Sequence, residues 1–380
     1  AKRLIGYIPD RPYLYERLTG NEFLDFIGGI YGMDAGDVEL AFAQHATSKV
    51  ATKAAFSATT VVPGQGEYIA SLLAMKDAAI PAITPKVTPR VRRNMMAAAR
   101  LDIPSLMVIC GYQSSGHIGN EHVDIEEVFL HAGYHAQGTT SFERLKEMSE
   151  VAISSPGVCS GMGTANSMHS VTEALGMCLP GAAPVAANSP KMWDHVRESG
   201  HRIVDMVWED LRPRQILTEG AFRNAARVDL AQAGSINCIK HLQAVALEAG
   251  VDIDLYDTFD KEGAWTPVLT AVRPIGPLSI EEFEAAGGAR GTMKQLESLL
   301  DTDVMTVSGK TVKDNLEAFE VADDNVIRPL DNPWGREAAI VLLKGSLAPD
   351  TGVVKVGLRT PDRRLSFKGK AKVYESSVDA

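Results

Sequence analysis

The sequence is poor in cysteine, poor in aromatic residues and without a long apolar run, and each shortage excludes something. Four cysteines in 380 residues (Cys110, Cys159, Cys178 and Cys238) cannot staple a chain of this length. A disulfide scaffold is therefore excluded, and a reducing, cytoplasmic setting is expected. Nowhere do the ~18 consecutive apolar residues of a membrane-spanning helix occur. The net charge is -10 and no basic block interrupts it, which argues against a nucleic-acid backbone as partner. Ala1-Lys2-Arg3 leads into Gly6 and Pro9 rather than into the apolar core of a signal peptide. Internal repeats, heptads and low-complexity tracts are also missing. What remains, at 45% hydrophobic and 23% charged, can bury a sizeable core. The length predicts two to three domains, or one large one with an appendage, and the composition is that of an acidic globular enzyme.

The absent initiator Met, and a strand-like Lys372-Val373-Tyr374 followed by the helix-start signal Glu375-Ser376-Ser377, lead us to expect further chain at both ends. Residues 20–80 read mainly as helix and loop. Pro81, Pro85 and Pro89 then break the pattern before a helix at Asn94 to Arg100. The apolar run 103–111, closed by Gly111, predicts a buried parallel strand, with a polar loop after it. Residues 161–178 and 194–211 are the clearest helices. In the second, Val196, Ile203, Val204, Val207, Trp208 and Leu211 share a face, and Pro213 stops it. Further helices are predicted at 221–230 and 239–249, the latter closed by Gly250. Strands follow at 339–344 and 353–356 around a turn at Pro349-Asp350-Thr351-Gly352, with a third candidate at 366–374. The fold class expected is α/β. A large N-terminal domain with a parallel sheet occupies 1–325, and an incomplete β-rich, barrel-like domain begins at 326–380.

The strongest local chemistry lies in Pro156-Gly157-Val158-Cys159-Ser160-Gly161-Met162-Gly163-Thr164, a cysteine in a glycine-bearing loop that feeds a helix. Unpaired N–H groups and the positive helix end favour a thiolate there, suited to nucleophile, metal-ligand or iron–sulfur roles. A small buried hydrophobe is the plain alternative. His117, His122, His131 and His135 lie within nineteen residues, and their polar loop favours solvent-facing or hydrogen-bonding roles over a metal. Glu121, Asp124, Glu126 and Glu127 read as a solvated helix start. Arg90, Arg92 and Arg93 read as a surface patch with a capacity for anions. Cys110 and Cys178 read as packing residues.

Cys159-Ser160-Gly161-Met162-Gly163-Thr164-Ala165-Asn166-Ser167-Met168 resembles the signature of the dihydroxyacid and 6-phosphogluconate dehydratase family. So do Glu173-Ala174-Leu175-Gly176-Met177, Leu179-Pro180-Gly181, Gly234-Ser235-Ile236-Asn237, Val307-Ser308-Gly309-Lys310-Thr311 and Gly345-Ser346-Leu347-Ala348-Pro349. The resemblance covers roughly residues 84–375. It implies an α/β domain followed by a barrel-like domain, and a homodimer or homotetramer. The implied reaction removes water from a 2,3-dihydroxy or sugar acid to give a 2-keto acid, using a 2Fe-2S cluster, a magnesium ion and a serine base.

Carried over residue by residue, the resemblance makes Cys159 one of three cluster cysteines and Lys86 the lysine that serves magnesium. Thr84 and Pro85 stand where the family has cysteine and aspartate, and a third cysteine has no counterpart before residue 80. The Gly-Arg-x-Ser-Gly motif of the serine base does not occur, so the catalytic base is unassigned. Ser235 and Asn237 belong to a family loop in which Ile236 replaces threonine, and both are candidate substrate contacts. Gly163 and the stretch 202–211 are worded more like the aldonate dehydratases than the branched-chain amino-acid enzyme, so a sugar acid is the expected substrate. The branched-chain dihydroxyacid dehydratase is one alternative. A catalytically inactive relative acting as a binding or partner subunit is another, supported by Thr84 and Pro85.

Overall fold

Helix boundaries in the computed structural model follow local capping chemistry. It describes residues 90–358 apart from Leu347, together with Ile5–Tyr7, Thr59–Val61 and Lys370. Apart from Thr59–Val61, which form a strand, and Lys370, the residues read at 20–80, at Thr84–Lys86 and as a strand at 366–374 lie outside the described residues. Strands β1 (Ile5–Tyr7) and β2 (Thr59–Val61) pair antiparallel. Helix α1 (Arg90–Leu101) starts earlier than the Asn94 expected. Hairpin β3 (Gly116–Ile118) and β4 (Glu121–Val123) leads into α2 (Ile125–Ala136) and α3 (Phe142–Val151). The core helices are α4 (Thr164–Ala174), α5 (Pro190–Glu209), the short α6 (Pro213–Ile216), α7 (Glu219–Ala231), α8 (Asn237–Ala249) and α9 (Leu255–Gly263). After them come α10 (Ile280–Ala286), α11 (Gly288–Gln295), α12 (Val312–Leu316) and the hairpin β5 (Ile340–Gly345) and β6 (Ala348–Lys355).

Serine, threonine or aspartate caps most of these starts. Ser189 accepts from Met192 N–H ahead of Pro190, Thr218 from Ala221 N–H, and Asp254 from Tyr256 and Asp257 N–H. Ser279 with Glu282, and Thr311 with Asp314, form capping boxes. Gly250 ends α8 in the left-handed region, as expected. Helix α5 stops at Asp210, itself left-handed, and Pro213 opens α6 instead of closing α5. Its buried stripe is Val196, Ser199, Gly200, Ile203 and Met206, whereas Trp208 is 81% exposed. The face predicted to include Trp208 is thus corrected: at 100° per residue it turns away from the stripe.

Helices α4 and α7 form the centre of the core and are buried along almost their whole lengths. Buried helices must pair their polar groups. Asn224 therefore bonds both the O and the N–H of Asp301, and Glu173 accepts from Gly181 and Ala183 N–H at 2.7 and 2.9 Å. Arg227 donates to Glu262 at 2.9 and 3.1 Å and to Asp301 at 3.0 Å.

Helix and strand mix as an α/β reading requires, but among the described residues the three sheets are two-stranded and antiparallel. The run 103–111 is extended and largely buried without becoming a strand, and its parallel character is confined to bridges from Tyr112 to Val158 and Ala186. The neighbouring segments meet it over single residues, too briefly for a ladder. At the C-terminal end the 349–352 turn is also corrected, because these residues lie inside β6. The hairpin turns near Ser346, with Gly345 opposite Ala348 and a register shift between Leu343 and Gly345. Ile340 reaches the main core, and Ile327 joins a second cluster with Phe283 and Met162. No described helix is long and apolar enough to cross a membrane.

Candidate functional site

Tyr112 organises the site. Its N–H donates to Val185 O at 2.9 Å and its O accepts from Ala187 N–H at 2.8 Å. Gln113 N–H and Val158 O, and Val158 N–H and Gly111 O, tie the Cys159 loop to its other edge at 2.7 and 3.0 Å. Asn166, in the first turn of α4 and wholly buried, donates to Cys159 O and Gly161 O at 2.7 and 2.9 Å. The loop is thereby stitched to its own helix. Gly163 at the N-cap offers no side-chain acceptor, so the first N–H groups of α4 stay open toward the space beside Cys159.

The predicted contacts Ser235 and Asn237 reach this helix end from the α7–α8 loop. Thr164 Oγ1 lies 2.9 Å from Ser235 Oγ and accepts from Asn237 Nδ2 at 3.0 Å. Ser235 N–H donates to Ser167 Oγ at 2.9 Å. Behind this loop stands Asp229, 1% exposed, its carboxyl raised to about 7 by burial. Gly234 is required here, because a Cβ would lie 2.1 Å from Asp229 Oδ1. The predicted residue Lys86 lies outside the described residues.

The expected solvated helix start at 124–127 is corrected. Asp124 is 1% exposed, caps α2 through Glu127 N–H, and receives Arg273 Nη1 at 2.6 Å. Arg273 also reaches Glu127 at 3.4 Å and His122 Nδ1 at 3.2 Å. This clamp turns Glu126 inward: a Cβ on Gly161 would sit 2.4 Å from Glu126 Oε1. Burial first, and Asp124 second, raise the Glu126 carboxyl. Glu121 alone of the four keeps a surface role, paired with Arg144.

The Cys159 thiol departs from expectation as well. Burial, then the neighbouring Glu126, push it up, and the backbone N–H groups of Gly161 and Cys159 oppose that only in part. The helix end does not win, because its partial charge is smaller than the desolvation of a half-buried thiolate beside a carboxyl group.

Of the other predicted residues, only His122 meets the Arg273 clamp. His131 and His135 bond Thr140 Oγ1 and O at 3.1 and 2.8 Å, while His117 and His122 face each other edge-on across the β3–β4 hairpin. Cys178 is buried in the core, beyond the end of α4, and Cys238 is buried beside Asp229. Cys110, read as a packing residue, is exposed, with Sγ 3.7 Å from His169 Nε2. Sequence reasoning gave no role to Thr164 or Asn166, although both stand in the quoted signature.

An iron–sulfur cluster takes several thiolates. Among the described residues Cys159 is the single cysteine that the resemblance assigns to a cluster, and no group of three His, Cys, Asp or Glu side chains is gathered for a metal. The described residues do not complete either implied ligand set.

Among known proteins, the chain is 40% identical to a dihydroxy-acid dehydratase of Syntrophobacter fumaroxidans over 288 residues, 75% of this chain and 51% of that protein. It is 41% identical to dihydroxy-acid dehydratase 1 of Methanosarcina acetivorans over 291 residues, 76% and 52% of the two chains. The corresponding enzyme of Sulfurisphaera tokodaii is 39% identical over 292 residues, 75% and 51%. The chain thus spans about half the length of the curated relatives it matches. Residues 86–315 match the dihydroxy-acid/6-phosphogluconate dehydratase N-terminal domain and residues 325–380 the C-terminal domain, and the chain belongs to this family.

Proposed function

We propose that the protein is a hydro-lyase that removes water from a 2,3-dihydroxy acid. The C2–H and C3–O bonds break, water leaves, and the resulting enol tautomerises to the 2-keto acid. The observation that carries this reading is the match to both family segments, with Cys159, Ser235 and Asn237 at one helix end. A weakly acidic C–H and a poor leaving group both need electrostatic help. In this reading the open N–H groups at the start of α4 face developing negative charge, and Thr164, Ser235 and Asn237 hold substrate hydroxyls. The Arg273 clamp keeps Glu126 beside Cys159. Cys159 and Lys86 are the residues we assign to the cluster and to magnesium.

Gly163 and the 202–211 stretch favour an aldonic acid. The relatives, named dihydroxy-acid dehydratases, favour instead the alternative of a dihydroxyacid dehydratase of branched-chain amino-acid synthesis. Incubation with D-gluconate and with 2,3-dihydroxy-3-methylbutanoate, with keto acid read as its semicarbazone, separates the two. Asn237→Ala is expected to lower kcat/KM about tenfold. Absence of keto acid with both substrates overturns the hydro-lyase reading in favour of an inactive relative. We further propose a cytoplasmic homo-oligomer, and light scattering that reports a monomer refutes the second part.

A further inference from the structure

The four cysteines differ in what surrounds their sulfur. Cys178 and Cys238 are buried and Cys159 is half-buried, and burial pushes all three thiols up. Cys110 is exposed, near the end of the extended run 103–111. Its backbone is firmly held. A Cβ on the neighbouring Gly111 would lie 2.7 Å from Ala187 Cα, and Gly111 O accepts from Val158 N–H at 3.0 Å. The thiol is thus presented to solvent from a rigid support.

Behind it stands His169, in the second turn of α4 and 2% exposed, with Nε2 3.7 Å from Cys110 Sγ. Burial lowers this imidazole to about 4, so it is neutral near pH 7 and carries a single N–H. Its Nδ1 has no hydrogen-bond partner. A proton on Nδ1 would leave a buried donor orphaned, which folded proteins avoid more strictly than an idle lone pair. The proton therefore sits on Nε2 and points at the sulfur. The thiol's own proton is directed to Gly111 O at 3.9 Å, too far to hold it firmly. A hydrogen bond donated to sulfur favours the thiolate, and solvent access lets that thiolate meet small electrophiles.

We propose that Cys110 and His169 form a site of reversible thiol modification, at which hydrogen peroxide and then a small thiol such as glutathione react. The Cys110 sulfur attacks one peroxide oxygen. The S–O bond forms, the O–O bond breaks, and the second oxygen leaves as hydroxide and is protonated to water. Sulfur gives two electrons to the peroxide and becomes a sulfenic acid. The thiolate of the small thiol then attacks that sulfur, forming the S–S bond as the S–O bond breaks and a second water leaves. His169 is a positioning residue that keeps its N–H on the sulfur. The site uses none of the groups assigned to dehydration and stands apart from the hydro-lyase reading.

The test exposes the purified full chain to hydrogen peroxide with glutathione and follows each cysteine by peptide mass mapping. The glutathione adduct is expected at Cys110 at least about tenfold faster than at Cys159, Cys178 or Cys238. Dithiothreitol should remove it, and Cys110→Ser protein should lose it. His169→Leu removes the donor and should cut the thiolate fraction about tenfold, the worth of one hydrogen bond to a charged group. The more basic sulfur regains about threefold in nucleophilicity, so modification should slow about threefold overall. His169→Gln, whose amide N–H reaches a similar place, is expected to keep most of the rate. An adduct that forms first at another cysteine, or none at Cys110, overturns the proposal without need of any variant. So does a Cys110 rate unchanged in His169→Leu, or slowed equally in His169→Leu and His169→Gln, which would mark a merely structural histidine.

Discussion

Replacing Arg227 by Met isolates the buried ion network that joins α7 to α9. The Arg227 and Glu262 side chains are only 5% and 7% exposed and meet through two hydrogen bonds of 2.9 and 3.1 Å. Removing one member of such a pair strands the other charge, a loss of about 3–5 kcal/mol. Two features of the site set where in that range the value falls. Arg223 remains 3.3 Å from Glu262 but is 39% exposed, so it compensates weakly. The contact of Arg227 with Trp265, 5.2 Å from the ring centroid, adds about 0.5–1 kcal/mol that Met does not replace. We therefore expect about 3 kcal/mol, measured as the shift in reversible urea unfolding followed by circular dichroism. Adding Glu262→Gln removes the stranded charge and is expected to recover a third or more of that loss. A single variant that loses under about 1 kcal/mol, or a double variant no more stable than the single, refutes the reasoning.

Stability should also fall as pH rises through the acid range. Burial raises the Glu173 carboxyl from 4.5 to about 7, against the pull of the Gly181 and Ala183 N–H groups. The folded protein then binds the proton more tightly than the unfolded chain, so this contribution is complete below 4.5 and is lost on the way to about 7. The urea midpoint should drop across that window and Glu173→Gln should flatten the profile, whereas an unchanged profile contradicts it. Iodoacetamide mapping by mass spectrometry should label exposed Cys110 first, half-buried Cys159 later, and buried Cys178 and Cys238 last. Fastest labelling at Cys159 would show that the helix end does govern its thiol. Gly234→Ala should destabilise by about 1–3 kcal/mol, because the new Cβ displaces Asp229. A fully stable Gly234→Ala protein would place Asp229 elsewhere.

Local rules were enough for much of the helical skeleton. Gly250 ends α8, and the helices at 164–174 and 219–231 sit within or close to their predicted bounds, because capping and periodicity act over a few neighbouring residues. The same is true of the motif that placed Cys159 in a loop before a helix, whereas Ser235 and Asn237 were singled out by the family resemblance, and the fold brings them to that helix end. Tertiary structure alone decided the rest. The 103–111 run had every mark of a parallel strand, yet pairing depends on distant segments, and those meet its backbone only at isolated points such as Met107 to Met177 and the bridges of Tyr112. Asp124 and Glu126 look like a wet helix start until Arg273, some 150 positions away, turns them inward. The direction of the Cys159 thiol reverses for the same reason, since desolvation and a through-space carboxyl group are invisible to spacing. Short-range chemistry is written along the chain, whereas burial and long-range charge are properties of the packed molecule.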